Sequence, residues 1–352
     1  MNILLCYVTP YSLIAVLNGD KTVRVKFPYP AFFDNYSDIW ESVYGEALFR
    51  LGLKSPLNTI VVCNSQDLLY PLIKGKSVKV VPAQEAFSEF NIPMIFLGEK
   101  RVYCPQGCFE LNINSEAVFK WFDFEESVVN VTNFFQNRFL YGPAPAESVW
   151  EKSFQNALIR AKMQAAFRLV SPNFLETVEE LYLSGEALYG FTNFQELLLN
   201  FLDAMEVLGF WRLYFDDKAV LGPLAGLYPE KERALKILNK YPFKRVADVF
   251  IVPGVASAQI IFEDGKKQTL NLAREGIHLV PLSKEELTVK LRLKKGHFEK
   301  KVSAGVFGAV FDTRKRPLAF SDLRSERFTI RDNIRKQVRG WGSQIQSSNN
   351  KD

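Results

Sequence analysis

The order of elements that opens the chain constrains the fold most. Apolar runs at residues 2–8 and 12–17 are parted by Thr9-Pro10-Tyr11, and a third at 22–27 sets Val23, Val25 and Phe27 on one face, the period of a strand. Asn18-Gly19-Asp20-Lys21 lies between the second and third, and Asn-Gly favours a hairpin turn. A helix is predicted over 38–51, with Ile39, Val43, Leu48 and Leu51 apolar and Gly52 at its end. A short buried strand follows at 59–63, and residues 65–91 read as short irregular elements. Strands at 92–97, 101–104 and 108–113 then restart the same order more loosely.

Tyr141-Gly142-Pro143-Ala144-Pro145-Ala146 is a stiff connector. In the helix after it, Phe154, Ala157, Leu158, Ala161, Ala165 and Leu169 share a face, and Ser171-Pro172 stops it. A strand is predicted at 178–183. Asn193 suits the N-cap of a helix over 194–208 with Leu197, Leu198, Phe201, Leu202 and Met205 on its buried side. Gly209, a strand at 211–215 and a short helical segment from Leu221 come next. After Pro242 short strands dominate, at 248–252, 257–263, 268–272, 277–280, 288–293 and 306–311. A spacing of about 8–12 residues suits a small β-barrel or sandwich.

Composition removes several chemistries. His278 and His297 are the only two histidines, and neither has a nucleophile near it in sequence, which excludes most histidine metal sites and catalytic triads. Cys6 and Cys63 sit in apolar strand runs. Cys104 and Cys108 bracket a turn with a spacer that suits zinc poorly. No run approaches about 18 apolar residues, and no basic segment precedes the apolar run at 3–8, so neither a membrane span nor a signal peptide is expected. The expected location is the cytoplasm. The net charge of +5 is uneven: residues 283–352 hold 17 basic and 8 acidic residues, a net +9, which leaves −4 for the rest. In the tail, Arg324, Arg327, Arg331, Arg335, Lys336 and Arg339 recur mostly every three or four residues, and Ile330, Ile334, Val338 and Trp341 form an apolar stripe. That pattern suits a partner groove or an anionic membrane surface through residues 321–341, or packing on the body. Nucleic acid is not an expected partner.

The element order resembles one lobe of the actin-like (ribonuclease H-like) fold shared by sugar kinases, chaperone ATPases and actin. In that superfamily two glycine-rich hairpin turns, each with an acidic residue, hold the phosphates of ATP and organise Mg²⁺. The turns that would correspond are 7–12, with Thr9 and Ser12, and 104–108, with Gln106 and Gly107. The first has neither glycine nor carboxylate, and its Pro10 offers no N–H; the second has one glycine and no carboxylate. Residues 179–186 resemble the superfamily's adenosine strand and loop, which implies nucleotide contacts at Ser184, Gly185 and Glu186.

Within the superfamily, residues 178–320 are similar to the MutL-like glutamate mutase accessory proteins. The similar segments are Leu202-Asp203-Ala204, the strand from Gly209 to Asp216 with Leu213 between, the Gly/Ala-rich run at 221–227, and Ile277-His278-Leu279-Val280-Pro281-Leu282. Most specific is the run from Gly305 through Gly308, Asp312, Arg314, Arg316 and Pro317 to Leu318. Gly305 and Gly308 allow close backbone approach, and Asp312 can pair with Arg314 or Arg316. These residues, with Arg331, Arg335 and Trp341 of the tail, are candidates for partner contact or for closing the β-rich part.

The expectation is therefore an α/β protein: an actin-like two-lobed body, with lobes at 1–145 and 146–242, a small all-β domain at 243–320 and a basic tail at 321–352. The resemblance implies an accessory ATPase acting on a partner protein. The weakened phosphate turns favour a non-catalytic scaffold or adaptor that binds a protein and needs no cofactor. An active ATPase using ATP and Mg²⁺, and a pilus- or division-type adaptor peripheral to the membrane, are the alternatives.

Overall fold

In the computed structural model of the chain, the described residues are 3–9, 11–17, 21–27, 36–54, 58–65, 69–74, 76, 78–122, 127–141, 148–189, 191, 193–241, 243–272, 276–282, 287–292 and 297–316. The first part runs β1 (Ile3–Val8), β2 (Ser12–Leu17), β3 (Lys21–Lys26), α1 (Tyr36–Leu51), β4 (Asn58–Cys63), α2 (Leu69–Lys74) and β5 (Lys79–Pro82). These strands form a sheet of order β3-β2-β1-β4-β5. The first three pair antiparallel, and β4 and β5 add in parallel. Because β1 and β2 are apolar on both sides, both faces of the sheet are covered. Leu4, Cys6 and Val8 pack with Trp40, Val43 and Ala47 of α1, while Leu5 and Tyr7 point to the opposite core.

After α3 (Ala83–Phe90) the same plan repeats. The elements are β6 (Met94–Leu97), β7 (Arg101–Cys104), β8 (Gly107–Glu110), α4 (Ser115–Phe119), α5 (Val128–Tyr141), α6 (Val149–Leu169), α7 (Pro172–Thr177), β9 (Glu180–Ser184), α8 (Phe194–Ala204) and β10 (Gly209–Phe215). In the second sheet β8-β7-β6-β9-β10 reproduces the order and directions of β3-β2-β1-β4-β5. Two sheets of this kind in one chain are the layout of the actin-like fold, as expected. Ser148 caps α6 through a capping box with Glu151, and Asn193 caps α8 by accepting from the Gln195 and Glu196 amides.

The sheets divide earlier than expected. Strands 94–110 belong to the second sheet, so the change falls across α3, between Pro82 and Met94, and not at 145. Phe87 of α3 fills the interval, with its ring 5.9 Å from Tyr7, 4.8 Å from Phe96 and 4.5 Å from Tyr103. The chain then returns through α9 (Leu221–Ala225) and α10 (Lys231–Lys240), whose Leu221, Leu224 and Ala234 join the same core as Tyr7, Val62 and Phe96.

The β-rich part differs from the expected separate barrel or sandwich. It comprises β11 (Lys244–Ile251), β12 (Ser257–Ile261), β13 (Lys267–Asn271), β14 (Ile277–Val280), β15 (Leu287–Arg292), β16 (His297–Val302) and β17 (Ala309–Asp312). Three of them, β11, β17 and β14, extend the second sheet beyond β10. The other four form an antiparallel sheet of order β13-β12-β15-β16. One core joins them, because Phe250 of β11 and Phe311 of β17 stack at 4.8 Å and pack with Ala258, Ile260, Val289 and Leu291. Residues 321–352, with Pro317, Arg331, Arg335 and Trp341, lie outside the described residues, as do Pro10, the turn residues Asn18, Gly19 and Asp20, and residues 142–146. Among the described residues, no helix is long and apolar enough to cross a membrane.

Candidate functional site

In an open α/β sheet, ligands meet the carboxyl ends of the strands, where loops diverge and backbone N–H groups point outward. Here the carboxyl ends of β1, β6, β9 and β10 carry buried polar residues: Thr9, Glu99, Ser184, Glu186 and Asp216. Apolar core borders them, so their partners must come from polar groups brought close by the fold.

The first-lobe turn is self-contained. Thr9 Oγ1 accepts the amides of Tyr11 at 3.1 Å and Ser12 at 2.8 Å. The Thr9 amide donates to the Ser12 carbonyl at 2.9 Å, and the two hydroxyls lie 3.1 Å apart. Arg24 of β3 donates from Nε to Ser12 Oγ at 2.9 Å and stacks on Tyr189, 4.6 Å from its ring centre. Burial lowers the Arg24 pKa, and Glu186, Tyr189 and Glu99 oppose that.

The matching turn of the second lobe is β6–β7. It is Gly98-Glu99-Lys100, not 104–108. The expected turn, with Gln106 and Gly107, is the β7–β8 hairpin one step further along, and it serves another purpose. Gln106 Oε1 accepts the Ser171 amide at 2.8 Å, which ties the hairpin to the start of α7. The counterpart at β6–β7 carries a glycine, Gly98, and the carboxylate, Glu99, that the 104–108 turn lacks. Its amide is nonetheless taken: Glu99 N–H donates to Glu186 Oε1 at 2.7 Å. Gly98 makes this approach feasible, since a Cβ there would lie 2.9 Å from the Arg101 carbonyl and 3.3 Å from Glu186 Oε1. The Glu99 carboxylate pairs with Lys162 of α6 at 2.5 Å, both side chains buried.

The expected adenosine loop lies at this cluster. Ser184 donates to Asp216 Oδ2 at 2.7 Å, and the Leu221 amide meets the same oxygen at 2.8 Å, linking the ends of β9 and β10 to the start of α9. Gly185 adopts φ +124° and packs directly on the backbone of Leu97. Glu186 opens a single 3₁₀ turn, Glu186–Leu188. Thr9, Ser12, Ser184, Gly185 and Glu186 are thus gathered at one place, while Gln106 and Gly107 are not. Sequence reasoning missed Arg24, Glu99 and Lys162. A buried lysine in the middle of a helix is a recognisable signal, but its partner lies 63 residues away.

Burial raises the Glu186 carboxyl to about 7, with the Glu99 charge adding to it. Burial also raises Asp216 to about 6 against the hydrogen bonds from Leu221 and Ser184. Glu186 Oε2 and Asp216 Oδ1 are buried with no hydrogen-bond partner. Among the described residues, no group of three or more His, Cys, Asp or Glu side chains could hold a metal ion. A pH dependence follows. Folded Glu186 binds its proton more tightly than the unfolded chain does. Its contribution to stability is therefore complete below about pH 4.3 and is lost as pH rises through about 7. Urea unfolding between about pH 5 and about pH 8 should show wild type losing more stability than Glu186→Gln, which lacks that titration. Parallel pH profiles for the two would contradict this.

Among the described residues, the candidates Asp312, Arg314 and Arg316 form a second buried cluster. Arg314 grips Asp312 with Nε at 2.9 Å and Nη2 at 2.7 Å, and reaches Asp203 of α8 with Nη1 at 2.8 Å. Arg316 donates to Asp312 at 2.5 Å and to the carbonyls of Leu202 and Met205. Arg160 of α6 lies 3.0 Å from Asp203. Two of the sequence segments singled out above, around Asp203 and Asp312, therefore meet as one ion network joining β17 to α8. Gly308 adopts φ +61°, and a Cβ there would lie 2.3 Å from the Val280 carbonyl; at Gly305 it would lie 3.2 Å from the Val246 carbonyl.

No family profile matches the chain, and no curated protein is similar to it in sequence. Solved structures align at low similarity. They include a ROK hexokinase from Thermus thermophilus (11% identity, TM-score 0.34, 66% of this chain and 100% of that one). A ROK-family glucokinase from Streptomyces griseus, solved with glucose and AMPPNP, aligns at 14% identity and TM-score 0.36, over 67% of this chain and all of the other. The MamK double helical filament aligns at 12% identity and TM-score 0.35, over 66% of this chain and 98% of that one.

Proposed function

We propose that the chain is a cytoplasmic, non-catalytic actin-like scaffold that holds a partner protein and does not turn over nucleotide. One observation carries this reading. The amides that a phosphate would need in the two matching turns are already bonded to the chain's own side chains, Tyr11 and Ser12 to Thr9 and Glu99 to Glu186. The Glu186 carboxyl takes up the Glu99 amide, and Lys162 is committed to Glu99. Opening such a site costs the desolvation of each group it leaves unpaired. A relation to the MutL-like accessory proteins fits the same reading, because Asp203, Asp312, Arg314 and Arg316 bond to one another and serve the fold.

Titration calorimetry with ATP, with and without Mg²⁺, tests the reading together with a phosphate-release assay. No binding and no release are expected up to millimolar nucleotide. Micromolar, Mg²⁺-dependent binding with turnover would establish the ATPase alternative instead.

A further inference from the structure

The four-stranded sheet β13-β12-β15-β16 has one face in the core, through Ala258, Ile260, Val289, Leu291 and Val302. Strand alternation sends the intervening residues to the other face. Register aligns Lys267, Ile261, Thr288 and Lys301 in one row, and Thr269, Gln259, Lys290 and Glu299 in the next. Arg292, two residues beyond Lys290, continues that face. Lys267, Arg292 and Lys301 are exposed, and Lys290 is half-buried. The carboxylate in these rows, Glu299, pairs with Lys290 at 3.2 Å. Lys267, Arg292 and Lys301, with Lys290 paired to Glu299, therefore make this face net positive, and the other residues in the two rows are Thr269, Thr288, Gln259 and the half-buried Ile261.

We infer that this face binds an extended acidic segment of the partner protein. Charge complementarity selects the occupant. A second copy docking through this same face would present the same positive sign and be repelled. The exposed large apolar side chains among the described residues, Phe49, Val129, Val149, Leu169, Leu208 and Val306, all lie elsewhere, so this face offers nothing to insert into a bilayer or to stack on unpaired bases. Strand β13 is an edge of its sheet and suits an extended ligand laid beside it.

The inference rests on the scaffold reading for the existence of a protein partner. Its test uses no nucleotide, so the two fail separately: ATP turnover would remove the scaffold without touching peptide binding. The full chain is titrated against a fluorescein-labelled oligoglutamate peptide, read by anisotropy at low salt. Lys267→Glu with Arg292→Glu should weaken binding about tenfold or more, and the milder Lys267→Gln with Arg292→Gln should fall between that variant and wild type. Lys21→Glu with Lys26→Glu, an equal charge change on β3, should leave binding unchanged. Absent binding, equal weakening by both reversals, or tighter binding of phosphatidylserine vesicles or oligothymidylate through the same residues would each overturn the proposal.

Discussion

Gly185→Ala is expected to destabilise the chain by about 3–4 kcal/mol, near the upper end of what single substitutions do. Two causes act together. Gly185 has φ +124°, where an L side chain costs about 1–2 kcal/mol. The added Cβ would also lie 2.2 Å from the carbonyl oxygen of Leu97 and 2.4 Å from its nitrogen. These are backbone atoms at the end of a central strand, and they can yield only if β6 and β9 part where Phe96 pairs with Ser184. Gly107→Ala isolates the first cause. Its φ is +135°, but nothing lies within 4 Å of a Cβ there, so it should cost only about 1–2 kcal/mol. Urea unfolding of both variants is the measurement. Equal losses would mean that the junction between Gly185 and Leu97 is looser than described.

The second large effect concerns the ion network behind β17. Arg314→Met should cost about 3–5 kcal/mol, the range for removing one partner from a buried pair. Asp203 and Asp312 would keep only Arg160 and Arg316, and both carboxylates are buried. Burial alone would raise the Asp312 carboxyl; Arg314 and Arg316 overcome it and hold the group below the usual carboxylate range. Stability from a depressed carboxyl is present above the unfolded value, about 3.9, and is lost as pH falls through the folded one. Without Arg314 that contribution shrinks, so the deficit of the variant should be largest near neutrality and smaller in acid. Unfolding measured at about pH 7 and about pH 3, below the unfolded carboxyl value, checks this, and a deficit that is constant or grows in acid would refute the assignment.

Much of the first sheet is legible in the sequence because its strands are short, apolar on both faces and divided by turn residues. The second sheet is legible strand by strand but not in its boundary. The Pro-rich run near residue 143 has the composition of a linker, whereas β5 passes into α3 at Pro82-Ala83 with no such signal. The β-rich part fails for a related reason. Local pattern shows that 244–251, 277–280 and 309–312 are strands. That they extend the second sheet, while their neighbours form another, depends on pairings such as Val249 with Val310, about sixty residues apart. At the candidate site the sequence points to the β7–β8 hairpin, one turn beyond the counterpart of the first-lobe turn. Strands 94–97, 101–104 and 107–110 have similar composition, and only sheet order tells which turn faces the first lobe. Asp203 and Asp312 stood out as motif residues, but that they share Arg314 is visible only in three dimensions.

Amide hydrogen exchange at Tyr11, Ser12 and Glu99 tests the self-satisfied turns most directly. These amides donate to Thr9 and Glu186 in the protein alone, so they should exchange slowly and at the same rate after saturating ATP and Mg²⁺ are added. Fast exchange in the free protein that slows when nucleotide is added would mean that the turns stand open for a phosphate, and the scaffold account would be wrong.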